Sequence, residues 1–140
     1  MTEIELQIML LQMDIKDEIA EFIADPNTVK YSFHTGNYLT NAPKKRGVYF
    51  VWEGNEFVYV GEGGDLTKRM KDIKQGNHPL IKHKDVGMDL FNPTRNFRIA
   101  FYPLRLGRIE MEETFASDIE AGRAFRPRPK YNKKFHRTWN

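Results

Sequence analysis

The sequence predicts an α+β fold: a small three-stranded sheet, mixed or antiparallel, flanked by helices and preceded by an amphipathic helix. Three observations predict it. Residues 3–24 repeat apolar side chains at three- and four-residue spacing; residues 48–60 form two β-rich runs around a Gly-Asn turn; and helical periodicity over 66–75 and 108–124 brackets an alternating run at 97–104. A chain of 140 residues, 40% hydrophobic and 13% aromatic, suits one such domain with appendages.

In the first element, Ile4, Ile8, Leu11, Ile15, Ile19 and Phe22 make one stripe with acids mostly between them, and Pro26 helps to end the helix. The stripe suits either packing on the body of the protein or pairing with a second copy in a homo-oligomer. Residues 27–46, with Gly36, Pro43 and the basic run Lys44-Lys45-Arg46, read as a connector. The chain thus divides into an acidic N-terminal part at 1–45, a main domain at 46–132 and a basic tail at 133–140.

Gly47-Val48-Tyr49 and Tyr59-Val60-Gly61 lie on the two arms of a hairpin that turns at Gly54-Asn55. A turn centred there sets Tyr49 and Tyr59 near one another, one step out of direct register. Asp65 is placed to cap the helix 66–75, whose Leu66, Met70 and Ile73 share a face bordered by Arg69. Residues 76–95 form a loop-rich insert with a short helix around 79–84. In the helix 108–124, taken at about 100° per residue, Glu112 falls inside the arc of Met111, Phe115 and Ile119, whereas Glu110, Glu113 and Glu120 fall outside it. An inward carboxylate needs a partner, because bare burial of charge is costly; a metal ion or Arg69 would supply one.

Charge is unevenly spread over a chain of net charge +3: residues 1–30 hold seven acids against two bases, and residues 123–140 hold seven bases and no acid. Bases that neutralise phosphates gain by counterion release, so a polyanionic partner is expected near the C-terminal end. The absence of cysteine excludes a disulfide framework and a thiolate zinc site. No stretch approaches the ~20 apolar residues of a membrane span, and no basic stretch leads into an apolar signal segment. The expectation is a soluble, cytoplasmic protein with no membrane partner.

Five motifs carry a resemblance: Gly47-Val48-Tyr49, Tyr59-Val60-Gly61, Asp65-Leu66 with Arg69, Met111-Glu112 with Phe115-Ala116, and Pro129-Lys130-Tyr131-Asn132. In that order they resemble the motifs of the GIY-YIG nuclease superfamily, over residues 46–132. The closing Arg128 to Asn132 is similar to the end of the catalytic domain in the incision subunit of bacterial nucleotide excision repair, and so short a chain looks closest to small phage endonucleases.

The resemblance implies hydrolysis of DNA phosphodiester bonds with low sequence specificity, using Mg²⁺ or Mn²⁺. Carried onto this sequence, Tyr59 or Tyr49 orients or deprotonates the attacking water, Arg69 holds the scissile phosphate, and Glu112, in preference to Glu120 or Glu113, binds the cation. Asn132 braces the site, Gly47 and Gly61 complete the strand motifs, and His78 or His83 takes an auxiliary place. Lys68, Lys71 and Lys74 beside Arg69, with Arg128, Lys130, Lys133 and Lys134 near the end of the chain, are the expected DNA contacts. Two features depart from the pattern: the stretch from Glu112 to Asn132 is about two helical turns longer than in the compact family pattern, and Glu62 stands where a base often follows the second glycine, with Gly63 where a small hydroxyl residue is usual. An acid beside the phosphate would weaken DNA binding, which makes a catalytically weak or inactive DNA-binding module the alternative.

Overall fold

The structure, a computed structural model, describes residues 2–103 and 129–132, with backbone alone for residues 7–16. The helix expected at 108–124, and with it Glu112, Glu113 and Glu120, lies outside the described residues, as do Arg128, Lys133 and Lys134.

Helix α1, Glu3–Ala24, begins where the Thr2 hydroxyl accepts the Glu5 N–H, and its first turn carries Glu3 and Glu5, the sign that suits a helix N-terminus. Its C-terminal part packs on the sheet: Ile19 is buried and Phe22 and Ile23 lie against Val48, Phe50, Trp52, Val60 and Ala100. Ile4 and Leu6, near the other end, are exposed. Packing on the body therefore accounts for the last turns of the stripe.

Among the described residues four strands, one more than the sequence suggests, form an antiparallel sheet in the order β1-β4-β2-β3: β1 Tyr31–Ser32, β2 Gly47–Glu53, β3 Glu56–Gly63 and β4 Phe97–Pro103. The extra strand is two residues long, Tyr31 facing Ile99 and Ser32 facing Arg98, too short to show alternation. Central β2 is covered on both faces, so Gly47 to Trp52 are all buried where a one-sided strand would alternate. Gly54 takes φ +59° at the first central position of the two-residue turn, the II′ pattern that suits strand twist.

Helix α2, Asn37–Thr40, follows β1, and α3, Leu66–Lys74, follows the hairpin. Asp65 caps α3 by accepting the Lys68 N–H; Leu66, Met70 and Ile73 are buried, while Lys68, Lys71 and Lys74 face solvent. The insert holds a short α4, Pro79–Lys82, and a 3₁₀ turn, Gly87–Phe91, which place Leu80 and Leu90 in the core. That core lies on the sheet face opposite α1 and includes Phe33, Tyr38, Tyr49, Tyr59, Met70 and Phe97. Among the described residues no helix is long and apolar enough to cross a membrane.

Candidate active site

A bulge in the hairpin brings the two tyrosines together. From the turn the strands pair Glu53 with Glu56 and Trp52 with Phe57; the register then shifts, and Val51 faces Tyr59, Phe50 faces Val60 and Tyr49 faces Gly61. Val58 is the extra residue. Without it Tyr59 would oppose Phe50 and share the α1 side of the sheet, because neighbours along a strand point to opposite faces. With it, Tyr59 stands two residues from Tyr49's partner, on Tyr49's own face, and the rings lie 6.3 Å apart. The one-step offset inferred from the turn alone is thus corrected to two.

The paired glycines serve close approach. A Cβ on Gly61 would overlap Cζ and Oη of Tyr49 and stand 2.8 Å from Cε2, so the tyrosine ring lies across the bare backbone of the facing strand. At Gly47 the same atom would meet the Tyr102 carbonyl oxygen at 2.6 Å and Leu66 Cδ1 at 2.9 Å, which sets the start of α3 against the sheet.

From α3, Arg69 reaches the tyrosine pair. Its stem passes Gly63, whose Cβ would stand 3.1 Å from Arg69 Cβ, and its Nη1 donates to Asp72 Oδ2 at 3.3 Å. Burial opposes the Arg69 charge, but Tyr49, by charge and hydrogen bond, together with Tyr59 and Asp72, more than offsets it and holds the guanidinium above its ordinary pKa. Arg69 Nε is buried with no hydrogen-bond partner among the described residues.

His78 closes the cluster. It is fully buried, its Nε2 lies 2.6 Å from the Tyr49 hydroxyl, and its ring centroid is 5.6 Å from that of Tyr59. Its Nδ1 accepts the Leu80 N–H at 3.0 Å, capping α4. Burial first, and the Arg69 charge second, push its pKa from 6.5 down to about 3. His78 is therefore neutral at pH 7.

Asn132 braces the site from outside the sheet. On the free edge of β3 its Oδ1 accepts the Val60 N–H at 3.0 Å and its Nδ2 donates to the Val60 carbonyl at 2.9 Å, while the Tyr131 N–H donates to the Val58 carbonyl at 3.0 Å. The segment 129–132 thus pairs with the bulged stretch that carries Tyr59, and Asn132 mimics a strand with its side-chain amide.

Other expected residues stand elsewhere. His83 caps the Asp85 N–H and packs edge-on against Tyr131, with ring centroids 5.0 Å apart, so His78 alone of the two joins the tyrosines. Lys130 pairs with Glu56 at 3.5 Å at the turn end of the hairpin, four residues along β2 from Tyr49 or roughly 13 Å at the usual strand rise. The same end holds a network the sequence did not suggest: Arg95 donates to Glu53, Asp89 and the Tyr131 hydroxyl, and that hydroxyl donates to Glu53. Glu62 faces Val48, which in turn faces Tyr102, all at α1-side positions. The register therefore sets this acid on the opposite face from Tyr49 and Arg69, correcting the expectation that it stands beside the phosphate.

A polar cleft of about 290 Å³, lined by Arg46, Glu62, Gly63 and Gly64, opens at the end of the hairpin, where Gly63 meets Arg69. An apolar groove of about 340 Å³, lined by Phe22, Tyr31, Phe101 and Pro103 among others, shares no residue with the tyrosine cluster. Among the described residues no group of three His, Asp or Glu is gathered to hold a metal ion, and both ring nitrogens of His78 are engaged. Glu112, the carboxylate expected to bind a cation, lies outside the described residues. Comparisons with family models, curated proteins and solved structures return no match to this chain.

Proposed function

We propose that the chain is a metal-dependent DNA endonuclease of the GIY-YIG kind. The observation that carries the reading is the convergence of Tyr49, Tyr59, Arg69 and His78, from four separate stretches of sequence, on one face of one sheet. Gly61 makes room for the Tyr49 ring, which an ordinary strand aromatic would not require, and Gly47 seats α3 against the sheet.

In this reading Arg69, whose side chain is partly exposed, binds the scissile phosphate through its guanidinium, a planar set of donors matched to phosphate oxygens. The tyrosine pair orients the attacking water and takes its proton, a contribution of about 10²- to 10⁴-fold. Lys68, Lys71 and Lys74, on the exposed side of α3, extend the phosphate track. Mg²⁺ or Mn²⁺, held by Glu112, supplies charge stabilisation at the phosphoryl group when bound. Asn132 keeps β3 in the register on which the pair depends. The working compartment is the cytoplasm.

Burial of Tyr49 and His78 favours a second reading, a DNA-binding module without the reaction, because a base must meet water. Glu62 no longer supports that alternative, since it belongs to the other face. The test incubates supercoiled plasmid with the protein in Mg²⁺, Mn²⁺ or EDTA, beside Arg69→Ala and Glu112→Gln. Metal-dependent nicking or linearisation lost in both variants supports the enzyme; an intact plasmid that shifts on a gel supports the module.

A further inference from the structure

The hydrogen bonds of His78 assign it a role that its residue type does not reveal. A backbone N–H can only donate, so the contact from Leu80 to Nδ1 at 3.0 Å requires a lone pair on that nitrogen. The proton of the neutral ring then sits on Nε2, and Nε2 faces the Tyr49 oxygen at 2.6 Å. We propose that His78 is a positioning residue for Tyr49: a neutral, tautomer-locked hydrogen-bond donor that stabilises the phenolate, and not a base that removes the phenol's proton.

The surroundings agree with that role. The ring is fully buried beside the Arg69 guanidinium, where a second positive charge is disfavoured. Facing Tyr49 among the described residues are Arg69 from α3, Tyr59 from β3 and His78 ahead of α4, with Asp72 holding Arg69. Two of these neighbours present N–H groups to the Tyr49 oxygen, one cationic and one neutral, and an oxygen that accepts twice is better suited to the ionised form. The phenol proton is released to solvent on ionisation. In the nuclease reading, on which this inference rests, the phenolate then takes a proton from the attacking water.

Two substitutions separate the ring's tasks. Asparagine keeps an acceptor near Nδ1 for the Leu80 N–H and loses the donor to Tyr49; glutamine keeps an N–H near Nε2 and loses the cap. The experiment is NMR on the full chain with ¹⁵N-labelled histidine and ¹³Cζ-labelled tyrosine, followed by pH profiles of plasmid cleavage. In the wild type, Nε2 should carry the proton and Nδ1 the lone pair throughout the neutral range. His78→Asn should raise the Tyr49 ionisation midpoint by about one to two units and shift the basic limb of the cleavage profile with it. His78→Gln should stay nearer the wild type in both. A merely structural cap predicts the reverse order, and a general base predicts that both variants are equally inactive.

A proton on Nδ1, or a Tyr49 midpoint unmoved in folded His78→Asn, would overturn the proposal. The wild-type tautomer decides the matter even where a variant fails to fold. A wild type with the expected tautomer and midpoints but no cleavage would refute the nuclease reading and leave the His78 assignment supported.

Discussion

Acidification should destabilise this protein through a buried histidine. His78 is fully buried and neutral, with its pKa pushed from 6.5 to about 3. Between those values the unfolded chain binds a proton that the folded chain refuses. Stability therefore rises with pH across that window and is lost as pH falls from about 6.5 towards 3. At 1.36 kcal/mol per unit the whole window is worth about 5 kcal/mol, and the part reached at pH ~4.5 about 2 to 3 kcal/mol. That is a large share of the ~5–15 kcal/mol that holds a typical domain folded. The assay is urea unfolding at pH 7 and pH 4.5 for the wild type and for His78→Asn, which cannot titrate. Glu53, held below its ordinary pKa by Arg95 and Tyr131 against the opposing influence of burial, also loses stabilisation in acid, but it is present in both proteins and cancels in the difference. The wild type should lose about 2 to 3 kcal/mol more than the variant over this pH step. Equal losses would refute the reasoning, because the ring would then be exchanging protons freely in the fold.

Other predictions test the frame of the site. Gly61→Ala must displace the Tyr49 ring, with an expected cost of about 1–3 kcal/mol in chemical denaturation and, if the site is catalytic, a loss of cleavage larger than the stability change explains. Asn132→Ala leaves the Val60 N–H and carbonyl without their side-chain partner on the β3 edge; about 2 kcal/mol should be lost, together with hydrogen-exchange protection at Val60. Glu62→Lys should alter DNA affinity measured by fluorescence anisotropy by no more than about 3-fold, since the side chain belongs to the α1 face and a single charge on that face is well screened.

The elements with strong local signals are legible in the sequence. Asp65 at the cap of α3, the buried trio Leu66, Met70 and Ile73, and the turn at Gly54-Asn55 all lie where the sequence points, because cap, stripe and turn are local chemistry. The bulge at Val58 was not legible. A one-residue shift leaves no composition signal, yet it decides whether Tyr59 shares a face with Tyr49 and whether Glu62 stands near Arg69. Strand β1 is not legible because two residues cannot alternate, nor is Arg95, because its partners Glu53 and Tyr131 come from distant stretches of the chain. His78 and His83 were equivalent by sequence; Pro79, which opens α4, and the cap to Leu80 distinguish them by holding the His78 ring inward. Glu112 lies outside the described residues, and its role rests on helical phase and on the motif.

The most direct test of the account removes one oxygen. Single-turnover cleavage of a DNA duplex in Mg²⁺ by Tyr49→Phe, with gel-shift affinity and thermal unfolding measured in parallel, isolates the hydroxyl that faces His78 and Arg69. The rate should fall by about 10²-fold or more in a protein that still folds and binds DNA with near wild-type affinity. A Tyr49→Phe protein that cuts as fast as the wild type would contradict this reading, leaving the tyrosine as core packing and placing the reaction elsewhere.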